Sequence, residues 1–276
     1  MPGWICWPSR PRPGQWVLTL VVVLLAASLL QSLITNRRFG WDTVGAWLFS
    51  RTVMTGLLTT LELTAAAMAI GLVLGIALAL MRLSDNRVAR SVSWAYIWLF
   101  RGTPLLVQLL FRGFISALYP TLHLHLPLLP AIGDVSANSV ITTFTAALLG
   151  LGLNEAAYLA EIIRAGIGSA DAGQWEAADA LGLSRARTLR RIVLPQAMRV
   201  IIPPVGNETI SMLKTTSLVS VLAYAELLYS VQIVYSRTYQ TIPLLIVASI
   251  WYLAVTTLLN IGQHYLERHF AKGGSR

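Results

Sequence analysis

Charge is scarce in this chain. Only 12% of its 276 residues are Asp, Glu, Lys or Arg, against about a quarter in a soluble globular domain, while 55% are hydrophobic. Such an apolar excess excludes a water-soluble fold and calls for lipid, where each crossing helix needs about 20 mostly apolar residues. Cysteine is nearly absent: Cys6 stands alone. That excludes an intramolecular disulfide and a multi-cysteine metal site, and leaves the redox compartment undecided. Lysine is almost as rare. A phosphate-cradling P-loop needs Gly-Lys, yet Lys214 and Lys272 follow Leu213 and Ala271, so any ATP used here is bound by a partner. Clustered nucleophile, base or metal sets are missing too, which argues against a membrane-embedded enzyme.

What is present is a series of long apolar runs. The first, 16–35, follows Arg10 and Arg12. It is longer than a signal-peptide core and lacks a small-x-small cleavage site, so it reads as a retained transmembrane helix. A short amphipathic stretch, 41–49, leads to a second span at about 52–81, where Gly71 and Gly75 form the small-xxx-small pattern that lets helix backbones approach in lipid. Packing within the subunit is the favoured use of that pattern. The third span, about 93–118, holds Pro104, which should bend or break it near Thr103. Residues 119–138 carry Pro120, Pro127 and Pro130, His123 and His125, and no Lys or Arg, and read as an extramembrane loop. Two histidines without further ligands are weak grounds for a metal. Further spans follow at about 139–167, 198–222 and 241–265, with an amphipathic helix at about 224–235.

The net charge is +9, from 21 Lys and Arg against 12 Asp and Glu. Its distribution reports orientation, because Lys and Arg concentrate on the cytoplasmic side. Arg10 and Arg12 precede span one; Arg82, Arg87 and Arg90 follow span two; Arg185, Arg187, Arg190, Arg191 and Arg199 follow span four; Arg268, Lys272 and Arg276 follow span six. The alternate loops carry Arg37, Arg38, Arg51 and Arg237. The pattern puts both termini inside, and arginines scattered over alternate loops disfavour nucleic-acid binding.

Residues 169–195 differ from their surroundings. Asp171 can cap a helix over about 174–181 that places Trp175, Ala178 and Leu181 on one side. Gly182 can supply the left-handed residue that ends it, and Ser184 can cap a second helix over about 185–194. That helix has Ala186, Leu189, Ile192 and Val193 facing inward, and Pro195 stops it. Two readings stand at even weight: an interfacial loop resting on lipid headgroups, or a small exposed helix inserted into a groove on another protein.

Glu176-Ala177-Ala178, then Gly182, then Ile192-x-Leu194-Pro195 resembles the EAA signature, EAA-x3-G-x9-I-x-L-P, of membrane subunits of bacterial ABC importers. Residues 157–167, with Tyr158, Glu161, Arg164 and Gly166, resemble the Y-x-A-E-I-x-R-x-G-I stretch of the polar amino-acid branch, the histidine/glutamine permease-like group. Phe100-Arg101-Gly102-Thr103-Pro104, Gly206-Asn207-Glu208 and Leu213-Lys214-Thr215-Thr216-Ser217-Leu218 are similar to further elements of that branch. The resemblance covers about 52–266. Run 16–35 looks like an additional helix, and Thr215 stands where many members have an acidic residue.

The resemblance implies an all-α polytopic membrane protein of about six transmembrane helices: a five-helix type I importer core plus the extra N-terminal helix. Residues 1–51 would be a cytoplasmic start, extra helix and linker; 52–266 the permease domain with coupling loop 169–195; 267–276 a cytoplasmic tail. It implies a multi-pass subunit of the bacterial inner membrane that moves polar L-amino acids by alternating access. Its implied partners are an ABC ATPase dimer holding ATP and Mg, an extracytoplasmic amino-acid-binding protein, and a second copy or a related permease. Glu176, Ala177, Ala178, Gly182 and Pro195 would form the ATPase-coupling element. An ion-coupled secondary transporter of amino acids is the alternative, but it has no use for such a loop.

Ionisable residues inside spans are expensive and usually functional. Candidates for the substrate pathway are Asn154, Glu155, Asn207, Glu208, Lys214 and Arg101, since an amino acid brings charge of both signs. Competing structural roles are a Glu208–Lys214 pair across spans, an Arg101–Glu62 pair, and an intrahelical pair between Glu161 and Arg164.

Overall fold

The computed structural model describes residues 13–123, 134–136, 139 and 141–271. Helix α1, Pro13–Thr35, is exposed along almost its whole length and touches the rest of the chain mainly at its end, where Trp41 Nε1 donates to Leu33 O at 2.8 Å. A 3-10 turn, Arg37–Phe39, leads to α2, Trp41–Leu48, and then to α3, Arg51–Leu83, capped by Ser50 Oγ on the Val53 amide. Next come α4, Arg87–Gly102, α5, Leu105–Gly113, and α6, Ile115–Leu118. Strands β1, Thr121–His123, and β2, Asp134–Ser136, pair antiparallel within the expected extramembrane loop. The long α7, Thr143–Gly168, is followed by α8, Ala172–Ala180, and α9, Arg185–Thr188. A π-helical turn, Leu189–Val193, runs without interruption into α10, Leu194–Thr215, and a 3-10 turn, Thr216–Leu222. Helices α11, Leu227–Thr238, and α12, Thr241–Ala271, complete the chain.

Among the described residues four helices are long and apolar enough to cross a membrane, namely Gly14–Thr35, Arg51–Leu83, Thr143–Gly168 and Thr241–Phe270. The run Arg185–Leu222 joined to Leu227–Thr238, bent by 45°, makes a fifth. The crossing expected at 93–118 is divided at Thr103–Pro104 into α4 and α5, as a missing backbone donor requires.

Helices α3 and α7 form the centre of the bundle. A Cβ on Gly75 would lie 2.9 Å from Leu159 Cβ and 3.2 Å from Ala156 O, and one on Gly71 would lie 2.8 Å from Glu155 Cγ. The small-xxx-small pair therefore serves packing inside the subunit. Apolar clusters line this axis: Leu63, Ala67, Leu109, Ala147 and Leu151 in one, and Leu78, Ile97, Ala156, Ala157 and Ala160 in another.

The bend in the fifth span is fixed by a residue the hydropathy pattern does not reveal. Glu226 is fully buried and caps α11, its Oε1 accepting from Tyr229 N at 2.7 Å and its Oε2 from Leu228 N at 2.8 Å and Tyr252 OH at 3.0 Å. Leu227 N donates to Thr60 Oγ1 at 3.0 Å, tying the same break to α3.

Gly75→Leu should push α3 away from the α7 backbone and destabilise the fold by about 1–3 kcal/mol. Gly262→Leu, at a position with nothing within 4 Å, should not. Thermal melts of the two purified variants in one detergent test the contrast.

Candidate functional site

Pro104 has no N–H, so the carbonyl of Phe100, four residues earlier, has no helical partner. Two side-chain amides take it. Gln108 Nε2 donates to Phe100 O at 2.9 Å, and also reaches Thr103 O at 3.1 Å and Thr103 Oγ1 at 2.8 Å. Asn154 Nδ2, from α7, donates to the same Phe100 O at 3.0 Å and to Gln108 Oε1 at 3.3 Å. Asn154 thus lines the candidate pathway, but its amide nitrogen is committed to the backbone of the broken helix. Tyr96 OH donates to Leu153 O at 2.8 Å and locks α4 onto α7 one turn away.

Beside this junction is a cavity of about 290 Å³ between α5, α7 and α10, whose lining includes Asn154, Glu155, Tyr158, Glu208, Ser211 and Thr215. Glu155 is 4% exposed, and its Oε1 is buried with no hydrogen-bond partner among the described residues. Glu208 is half-buried and faces the same space. Tyr158 also lines a second, larger cavity of about 570 Å³ with Arg82, Trp94, Trp98, Arg101, Glu161 and Arg164. Arg101 lies over the Tyr158 ring, its guanidinium carbon 5.2 Å from the centroid. An acidic and a basic chamber thus meet at one aromatic ring.

The structure therefore brings Asn154, Glu155 and Glu208 together and puts Arg101 at their border. Asn207 and Lys214 are exposed and line neither chamber. The pairs considered for Glu208 with Lys214 and for Arg101 with Glu62 do not form among the described residues; the Glu161–Arg164 pair does, at 2.8 Å. Tyr158 and Gln108 belong to the site although neither carries a formal charge at neutral pH. The signal for Tyr158 was its spacing, four residues beyond Asn154 on one helix face. Of the two loop histidines, His125 lies outside the described residues.

The loop after α7 has the expected helix-turn-helix form. Asp171 Oδ1 accepts from Gly173 N at 2.7 Å, and Gly182 closes α8 with φ of 69° while Leu183 N reaches back to Ala178 O at 3.0 Å. Ala178 is buried, and Trp175 packs on the cluster of Ile163, Ile167, Val193 and Ala197. Glu176, Ala177, Gly182 and Pro195 are exposed. Leu181 is 77% exposed rather than inward. On the second helix Thr188 and Val193 are buried, while Ala186 points out.

Pro195 does not stop that helix. It sits in the first turn of α10, where a missing donor is tolerated, and the preceding π turn carries Leu194 N to Leu189 O instead of the usual shorter bond. Pro203 and Pro204 likewise lie inside a continuous α10, where Gln263 Nε2 from α12 donates to Pro203 O at 2.8 Å.

Residues 71–272 match the family of binding-protein-dependent transport system inner membrane components. The chain belongs to this family. It is 47% identical over 268 residues to an arginine transport system permease protein, ArgU, of Corynebacterium glutamicum, covering 96% of this chain and 83% of that protein. It is 38% identical over 215 residues to a nopaline transport system permease protein, NocM, of Agrobacterium fabrum, covering 76% and 86%. Among solved structures, an amino acid ABC transporter crystallised with histidines matches with a TM-score of 0.66 and 38% identity, over 79% of this chain and 94% of that one. The MetNI methionine transporter, at 18% identity and a TM-score of 0.59, shares the fold. The fold class read from the sequence stands, and this transport-system component is a multi-pass membrane protein.

Replacing both Gln108 and Asn154 by Leu should leave the Phe100 carbonyl buried without a donor. The expected cost is about 1–3 kcal/mol, read as a lower melting midpoint; an unchanged midpoint would mean that another group satisfies this carbonyl.

Proposed function

We propose that this chain is the permease subunit of an ATP-driven importer of polar amino acids, and that cationic amino acids are the class its chamber suits best. The observation that carries the cargo class is the convergence of Glu155 and Glu208 on one cavity of about 290 Å³. A buried carboxylate with a half-buried one facing the same space attracts a guanidinium or ammonium group more strongly than exposed ones do. Arg101, at the Tyr158 border, offers a counterpart for the α-carboxylate. The printed name of the 47% identical relative, an arginine transport system permease, supports the same direction.

The energy source in this reading is a separate ATPase dimer that binds ATP and Mg, since the chain has no P-loop. Exposed Glu176 and Ala177 on α8 form the surface presented to each ATPase, with buried Ala178 and half-buried Trp175 holding α8 against the bundle. Closure of the ATPase dimer moves α8, the rigid spans transmit the movement, and the chamber opens alternately to either side. An extracytoplasmic binding protein delivers cargo, a second copy or a related permease completes the pathway, and both termini face the cytoplasm of a bacterial cell. Nothing favours the ion-coupled alternative, which would take up cargo without ATP.

Glu155→Gln and Glu208→Gln should each raise the KM for arginine uptake by roughly ten-fold or more in reconstituted vesicles, with a smaller effect on neutral amino acids. Equal kinetics for both classes would remove the chamber from the cargo route. Gly182→Val places a β-branched residue at a left-handed position, at a strain of roughly 1–2 kcal/mol. Uptake should be lost while the ATPase still binds ATP; a complex that still couples hydrolysis to uptake would exclude the loop from coupling.

A further inference from the structure

Between Asp179 and Glu208 the chain has five arginines and no carboxylate. Arg185 is engaged, its Nη1 lying 3.0 Å from Asp85 Oδ2. Arg187, Arg190 and Arg191 are exposed and form no ion pair among the described residues. They sit on α9 and the π turn, at the point where the helix continues into the fifth span. The neighbouring Arg190 and Arg191 are both exposed while Val193 and Ala197 are buried.

The helix surface beyond these arginines identifies the partner. Along the same uninterrupted helix, Leu194 is 38%, Met198 37% and Val200 47% exposed. On the face shared by Arg187, Arg191, Leu194 and Met198 the surface changes from guanidinium to hydrocarbon within about two turns, while the exposed Arg199 lies beside that face. That is the profile of a helix passing from a headgroup layer into acyl chains. An acidic protein surface would complement the arginines but would leave the apolar segment behind them uncovered. A phospholipid complements both parts with one molecule.

We propose that the elbow formed by Arg187, Arg190, Arg191, Leu194 and Met198 binds anionic phospholipid, with the phosphate held by the arginines and the acyl chains lying along the start of α10. The elbow connects through Gly182 to α8, so bound lipid would hold the platform from which the coupling helix projects. The side of the membrane rests on the cytoplasmic placement of the 169–195 loop proposed above; the binding itself does not.

The test uses the full-length chain, delipidated in mild detergent and titrated with phosphatidylglycerol, phosphatidylcholine or inorganic phosphate, with bound molecules counted by native mass spectrometry. Phosphatidylglycerol should bind in preference to phosphatidylcholine. The triple variant Arg187→Gln, Arg190→Gln, Arg191→Gln should lose at least ten-fold in phosphatidylglycerol affinity, at roughly five-fold per arginine as the upper expectation. Its lipid-free melting midpoint should stay that of the parent, and Arg237→Gln, on the expected opposite side of the membrane, should bind lipid normally. Equal retention by the triple variant, equal binding of both lipids, or displacement of lipid by millimolar phosphate would overturn the proposal. So would a triple variant that keeps its lipid but no longer co-purifies with an ATPase, since the arginines would then serve protein docking. If Gly182→Val couples normally while the arginine variants lose lipid, the coupling reading fails and the lipid site stands.

Discussion

Close approach of α3 and α7 is the constraint on which the remaining structure depends. Inside lipid no hydrophobic force drives one apolar helix onto another, so association relies on van der Waals contact and on the few polar bonds that close packing permits. Gly71 and Gly75 let the α7 backbone around Ala156 and Ala160 come within contact distance. That contact presses Glu155 against α3 and sets the rotation of α7 about its own axis. Because Asn154, Glu155 and Tyr158 all project from α7, this rotation also decides which of them reach the chamber and which reach the broken helix.

The break at Pro104 shows how one backbone defect organises a polar site. A carbonyl left without its helical donor at membrane depth must be satisfied by protein. Gln108 and Asn154 do so from two different helices, joining α4, α5 and α7 at one point. A polar residue in a span therefore has two possible customers, the cargo and the backbone, and hydropathy cannot distinguish them. Asn154 answers to the backbone through its amide nitrogen; Glu155, one residue later, keeps an oxygen with no partner among the described residues. Glu226 gives the same lesson at the bend of the fifth span. There a buried carboxylate caps a helix where a serine or aspartate is more usual, so local capping preferences do not point to it.

Much of the loop between α7 and α10 was legible because its determinants are local. Asp171 caps within two residues, Gly182 adopts the left-handed conformation it is suited to, and the alanines beside Glu176 leave α8 slim and exposed. The prolines were harder to read. Pro195 interrupts a helix only if the bond it removes has no substitute, and a π turn supplies one. Pro203 and Pro204 lie inside a continuous α10, where Gln263, sixty residues away, donates to the Pro203 carbonyl. Neither the π turn nor the Gln263 contact has a signature in the neighbouring residues.

Composition and periodicity alone determined that this chain lives in lipid, where its long helices lie, that the run over 93–118 breaks at Pro104, and that a capped helix-turn-helix follows α7. Each of these follows from a property of a short segment: its transfer free energy, a missing donor, or a tolerated backbone angle. Only the tertiary structure decided that Glu155 and Glu208 share a chamber while Lys214 and Asn207 are exposed outside its lining, and that Arg101 lies over Tyr158 instead of pairing with Glu62. The physical reason is that the rotation of an almost uniformly apolar helix about its axis is not encoded in its own sequence. It is set by where the neighbouring helix has room.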